Sequence, residues 1–494
     1  MRYLNISICI LLFFLTFSCN EDFLEKPPLS QTTEGLFPAT ANDALLATNG
    51  AYNSLRQWNL NAGGFPLLDI MTDQVTKGSS AGDGAATAVF EDFTFDAFDP
   101  AMERWYATLY QGIRKSNLVI LEVPKITMDE ELRTRYVAEA RFLRAYFYSI
   151  LVRAFGDAVL VLEINPPLDL TRTDAQIIWE DVIIPDLEFA VENLPEKSDY
   201  AAEDLGRVTR GGAKALLARL YLYLGDFPLA QQYSEEVINS GQYSLEPDFE
   251  DAFNVESEGG VESVWEVPAL PFGFGDGGNQ YANTWGVRGT PNRGWGFGRP
   301  AYPWIIEMQN NEDPRLDASV IFLGEVLDGI EILGDDATTD TTRVDGQIVE
   351  IECYNQKVWT PGTTAQESFG HNQRIIRYAD VLLMAAEAAN ENGSPNVALN
   401  YLNQVRARAR AGNTDILPDI TATDQATLRL LIEDERNYEL AFEGLRYWDL
   451  VRTDRASTIL GPLGFVEGKH ELFPIPQSEI DISQRRITQN PNYE

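Results

Sequence analysis

With 494 residues, 44% of them hydrophobic and 11% aromatic, the chain can bury a sizeable core and is not a disordered segment. Its formal net charge of −37, from 75 acids against 38 bases, excludes a nucleic-acid binder, which needs clustered Lys and Arg to meet phosphates. The same charge repels an anionic bilayer surface, so contact with a membrane has to come through an anchor.

The first residues read as an export signal. Arg2 supplies positive charge, Ile6 to Phe17 form an apolar run, and the small Ser18 precedes Cys19, which is the layout of a secretory signal. The run falls short of the roughly 20 apolar residues that a spanning helix needs. Leu15-Thr16-Phe17-Ser18-Cys19 resembles a lipobox, where bacteria attach diacylglycerol to the cysteine, although the leucine stands four residues ahead instead of three. Residues 1–18 are therefore expected to be a signal peptide and Cys19 a lipidation site. Residues 19–40, which hold Pro27, Pro28 and several acids, are expected to form an extended tether. Of the three cysteines, Cys9, Cys19 and Cys353, only Cys353 is then left over, so no internal disulfide is expected.

Helical periodicity begins at residue 41 and recurs over 41–58, 101–123, 129–155, 174–194, 209–225, 226–240, 374–392, 395–410 and 425–443. In 129–155, Tyr136, Val137, Ala140, Leu143, Phe147, Ile150 and Leu151 form one apolar stripe. Two helix pairs look alike. With Gly225 set against Gly393, Ala218 matches Ala386, Ala230 matches Ala398, Tyr233 matches Tyr401 and Val237 matches Val405. Small residues at helix crossings around a glycine turn suit tetratricopeptide-type hairpins. Between them, residues 242–373 are rich in Gly, Pro and aromatics, with β-prone runs at 262–267 and 347–351 and a short helix at 303–310. A long irregular insertion in a helical scaffold is usually functional.

Catalytic constellations are thin. Gly273-Phe274-Gly275-Asp276-Gly277-Gly278 matches G-x-G-x-x-G, but prolines precede it and no helical stripe follows, so a nucleotide site is not expected. His371 and His470 are the only histidines, and neither has metal-ligand or serine-triad spacing. Asp335, Asp336, Asp340 and Asp345 lack the calcium-loop order and read as a solvated turn. No cofactor and no catalytic residue is expected. A pair of carboxylates for glycoside hydrolysis is not visible in spacing, so a surface glycoside hydrolase is the enzyme alternative.

Aromatic residues are the more informative signal. Trp265, Phe272, Phe274, Tyr281, Trp285, Trp295, Phe297, Tyr302 and Trp304 crowd one glycine-rich stretch, beside Arg288, Asn292, Arg293 and Arg299. Sugars present an apolar C–H face and a polar rim, which rings flanked by Arg or Asn can match. The rings can equally fill a core, the usual fate of large apolar side chains. Trp285, Trp295, Tyr281 and Arg293 are the candidate ligand residues, joined by Asp73 from the loop that also holds Asp69 and Gln74.

The C-terminal third carries a family likeness. Arg377-Tyr378-Ala379-Asp380, Leu402-Asn403-Gln404-Val405-Arg406, Glu435-Arg436-Asn437-Tyr438-Glu439, Arg446-Tyr447-Trp448-Asp449 and Leu472-Phe473-Pro474-Ile475-Pro476, in this order, resemble the SusD/RagB family of nutrient-binding outer-membrane lipoproteins. The resemblance implies a mainly all-α SusD-like domain over 41–494 with a tetratricopeptide-like scaffold, a loop-rich insertion and a few short strands. It also implies a lipid-anchored protein on the external face of the outer membrane, with Glu21 and Asp22 as the surface-export label. Such a protein captures oligosaccharide, or a peptide or other nutrient, and delivers it to a SusC-like TonB-dependent transporter. Glu435, Arg436, Glu439 and Arg446 read as helix-face ion pairs that mark the scaffold and do not touch ligand.

Overall fold

The computed structural model describes residues 37–493 apart from 62–63, 81, 168, 271–279, 337–340 and 362–369. The signal, Cys19, the export label and most of the tether lie outside the described residues, as do Asp340 and the Gly273–Gly278 run. Among the described residues, no helix is long and apolar enough to cross a membrane.

The long helices are α1 (Ala41–Tyr52), α2 (Pro100–Glu122), α3 (Glu130–Phe155), α4 (Ile184–Asn193), α5 (Arg210–Leu224), α6 (Phe227–Ile238), α7 (Tyr378–Glu391), α8 (Pro395–Ala409) and α9 (Gln425–Glu439). Their starts are written in side chains that satisfy otherwise orphaned N–H groups. Thr40 and Asp43 form a reciprocal capping box on α1. Asp99, Asp129, Thr209 and Asp424 cap α2, α3, α5 and α9. One expected helix is cut short. Residues 373–377 are a strand, because Gln373–Arg377 pairs antiparallel with Ser263–Val267 and tertiary pairing overrides local helical pattern.

The expected stripe of α3 is buried in full, but it understates the helix. Glu139, Arg144 and Ser149 are buried too, since α2, α1 and α4 pack around α3. Where α2 crosses it, a Cβ on Gly112 would come within 2.5 Å of the Phe147 ring.

The two matched helix pairs are antiparallel hairpins, α5–α6 and α7–α8, stacked through α6 against α7. Gly225 and Gly393 turn the chain with φ of +73° and +74°, a left-handed conformation that side chains with a Cβ resist. The aligned Ala218, Ala386, Ala230, Ala398, Val237 and Val405 are all fully buried.

The insertion therefore leaves and returns between two helices that touch. Its base is closed by the strands β2 (Ser263–Val267) and β6 (Gln373–Arg377). A strand from the N-terminal half, β1 (Val75–Gly78), pairs antiparallel with β3 (Phe297–Pro300), matching Val75 to Pro300 and Gly78 to Phe297. Inside the insertion, β4 (Val320–Phe322) pairs with β5 (Cys353–Asn355). The β-prone run at 347–351 forms an exposed hairpin with Thr341–Val344.

Buried ions lock this insertion to the helices. Glu439 at the end of α9 takes Arg377 of β6 (3.0 Å), Arg408 of α8 and Arg315 of the insertion (3.2 Å). Arg315 also pairs with Asp313 (2.6 Å) and Glu435 (2.7 Å), and Arg377 with Glu443 (2.8 Å). Lys357 of the insertion donates to the carbonyls of Glu439 and Ala441 and to Glu443. A second cluster centres on Asp380 of α7, which pairs with Arg219 of α5 (2.6 Å) and Arg436 of α9 (2.8 Å). The family-like residues thus make buried pairs across the fold, not ion pairs along an exposed helix face. Burial raises a carboxyl's pKa, but the surrounding arginines win, holding both Glu439 and Asp380 down at about 2.

Asp69 borders the same region in the opposite state. It is buried and accepts from the Gly444 N–H (3.0 Å), while its other oxygen, Oδ2, has no hydrogen-bond partner. Burial, with Glu443 nearby, pushes its carboxyl up to about 8.

Two outcomes follow. Glu439→Gln leaves buried arginines short of charge and should lower unfolding stability by about 3–5 kcal/mol in a urea titration; a change near zero contradicts the network's role. Asp69 is ionised above pH 3.8 when unfolded but stays protonated to about 8 when folded, so its contribution falls as pH rises between those values. Asp69→Asn should therefore gain on wild type as pH rises through that window, read from urea midpoints at a series of pH values. A difference independent of pH contradicts it.

Candidate functional site

The β1–β3 pairing brings two distant tryptophans together. Trp58 begins the short helix Trp58–Asn61 beyond α1. Trp295 stands two residues before β3, its N–H held by the Asn283 carbonyl at 2.7 Å and the next N–H by Gly286 at 3.0 Å. The two ring centroids are 5.3 Å apart with planes tilted by 59°, within the range of favourable aromatic pairs. Trp58 is 38% exposed and Trp295 half-buried.

These rings line an open cavity of about 400 Å³ with Phe297, Thr284, Asp83 and Arg104, over a floor of Leu67 and Ile70. Asp83 is not free: Arg288 and Ser79 donate to its carboxylate. Partial burial would raise its pKa, but those two partners hold it below the ordinary carboxylate range. The Lys77 ammonium is likewise occupied, by the carbonyls of Gly78, Ser80 and Asp83. The cavity is therefore an aromatic wall with a polar, hydrogen-bonding rim. That combination suits a ligand with one apolar face and many hydroxyls.

Of the five candidate ligand residues, Trp295 alone lines this cavity, joined by Phe297 from the same aromatic stretch. Trp285 is 1% exposed; its indole packs on Gly298, where a Cβ would come within 2.5 Å of the ring. Tyr281 is buried in the same short helix, Tyr281–Trp285. Trp265 and Trp304 are core residues as well. Arg293 is buried with its guanidinium over the Trp359 ring at 5.5 Å. Asp73 is held by Arg446 in a two-bond clamp of 2.9 and 2.7 Å. Its neighbour Gln74 bonds Asn437. Cys353 is buried, and burial drives its thiol pKa up. In the acidic turn, Asp335 pairs with Arg288.

Trp58, Phe297, Asp83 and Arg104 were missed as site residues. A signal existed for two of them: Phe297 belongs to the aromatic stretch, and Trp58 sits between the polar Gln57 and Asn59 at the end of a helical pattern. Nothing local marks Asp83 or Arg104.

Comparison with known proteins gives these features a context. A model described as the SusD family matches residues 240–464, and one described as starch-binding associating with outer membrane matches 22–222. The SusD-like protein P2 of Formosa agariphila is 27% identical, with each chain covered in full. A laminarin-binding SusD-like protein of known structure is 27% identical with a TM-score of 0.76, covering 92% of this chain and 100% of the other. Surface glycan-binding protein A of Bacteroides thetaiotaomicron, solved with laminarihexaose, is 25% identical with a TM-score of 0.75 over 92% and 100%. Helical hairpins interrupted by a docked insertion, two models that between them run through most of the sequence, and full-length relatives lead to one assignment. The chain belongs to the SusD family of non-catalytic, outer-membrane-associated glycan-binding proteins.

Proposed function

We propose that this protein captures oligosaccharide at the Trp58–Trp295 cavity and delivers it to a SusC-like TonB-dependent transporter, held at the external face of the outer membrane by lipid on Cys19. The exposed, tilted pair of indoles over a polar-rimmed cavity carries the binding half of this reading. A pyranose lays its C–H face on a ring while its hydroxyls meet Thr284 and the rim. The laminarin-binding and laminarihexaose-bound relatives support a glycan over a peptide. The delivery half rests on the family likeness, the lipobox-like Cys19 and the tether that follows it.

An indole buries about 150–250 Å² when enclosed, so one covered face hides roughly 100 Å². At about 25 cal/mol/Å² this is worth roughly 2.5 kcal/mol, which makes each ring important and the whole site modest in affinity. Trp58→Ala and Trp295→Ala should each weaken binding by about 10-fold to 100-fold in calorimetry against a polysaccharide panel. Trp285→Ala should act through stability instead. Undiminished binding by both cavity variants contradicts the site.

A further inference from the structure

Two charged side chains line the cavity, Asp83 and Arg104, and they are treated differently by their surroundings. Asp83 is ion-paired in place with Arg288, a cation that it shares with Asp335. Arg104, on the first turn of α2, is exposed. Among the described residues its guanidinium forms no ion pair or side-chain hydrogen bond. Glu103 beside it on the helix is exposed and forms no ion pair with it among the described residues. The N-cap Asp99, which feels the guanidinium's charge, bonds the N–H groups of Ala101 and Met102 instead. The cavity thus offers a bound sugar a carboxylate that is already ion-paired and an exposed, planar, five-donor cation.

We propose that the Trp58–Trp295 cavity takes oligosaccharides bearing an anionic substituent, a uronate carboxylate or a sulfate ester, with the anion seated on Arg104. This rests on the cavity being the glycan site. A guanidinium matches the oxygens of either group through paired hydrogen bonds, whereas a neutral sugar leaves it solvated and gains little from it. The net charge of −37 does not oppose this at the site. Charges beyond about 8 Å are largely screened at physiological salt, and the acid lining the cavity is already paired.

The test uses the full mature chain and gluco-hexaoses in three linkages, each plain, oxidised to the C6 carboxylate, and sulfated. Calorimetry on wild type should find at least one charged form bound about threefold to tenfold more tightly than its plain parent, with the margin shrinking as salt rises. The carboxylated and sulfated arms tell the two substituents apart. Arg104→Gln should erase the margin by weakening the charged hexaoses about threefold to tenfold more than their plain parents. Equal binding of plain and charged forms, failure to bind any charged form, or a margin that survives in Arg104→Gln overturns the inference. Trp295→Ala separates it from the broader reading. Charge-blind binding that Trp295→Ala destroys removes only the role of Arg104, whereas binding indifferent to Trp295→Ala removes the cavity itself.

Discussion

The docking of the insertion on the helical scaffold hangs on a set of buried charges around Glu439. A carboxylate in the protein interior is costly unless cations and hydrogen bonds surround it, and Glu439 has Arg377, Arg408 and Arg315. Those arginines come from a strand, a scaffold helix and the insertion, so three separate stretches of chain must meet at one point. Sliding any of them by a residue would leave a charge unpaired. The network is a registration device more than a source of net stability, because apolar residues of equal volume could pack there at similar free energy.

Registration matters because the insertion has little core of its own. A small apolar cluster of Val287, Ile321, Ile332 and Tyr354 sits inside it, and its larger aromatics are spent against the helices. Trp265 stacks edge-on with Phe142 and Tyr146 of α3, and Trp304 meets Phe442. Once these anchors and the β2–β6 base are in place, β1–β3 pairing sets Trp295 beside Trp58. Burial of most of the aromatic crowd leaves Trp295 part-exposed beside Trp58, more than 200 residues earlier in the chain, at a defined angle.

The helical scaffold was legible because its signals are local. Periodicity and glycine turns located most of the helices to within a few residues, and the Gly225–Gly393 alignment foresaw the paired hairpins. The site was not legible in the same way. Trp285 and Trp295 look alike in sequence, each flanked by glycine on one side or both, yet Gly298 admits the indole of Trp285 to the core while Trp295 has no such recess. Asp73 resembled a ligand contact until Arg446, far along the chain, claimed it. Exposure of an aromatic and neutralisation of an acid are decided by long-range partners, which spacing along the chain does not encode.

The most direct measurement is a crystal structure of the protein with a bound oligosaccharide such as laminarihexaose. The account predicts a sugar ring laid against Trp58 and Trp295, with hydroxyls toward Thr284 and the Asp83–Arg288 rim. An oligosaccharide ordered elsewhere on the surface, with the indole pair left bare, would contradict it.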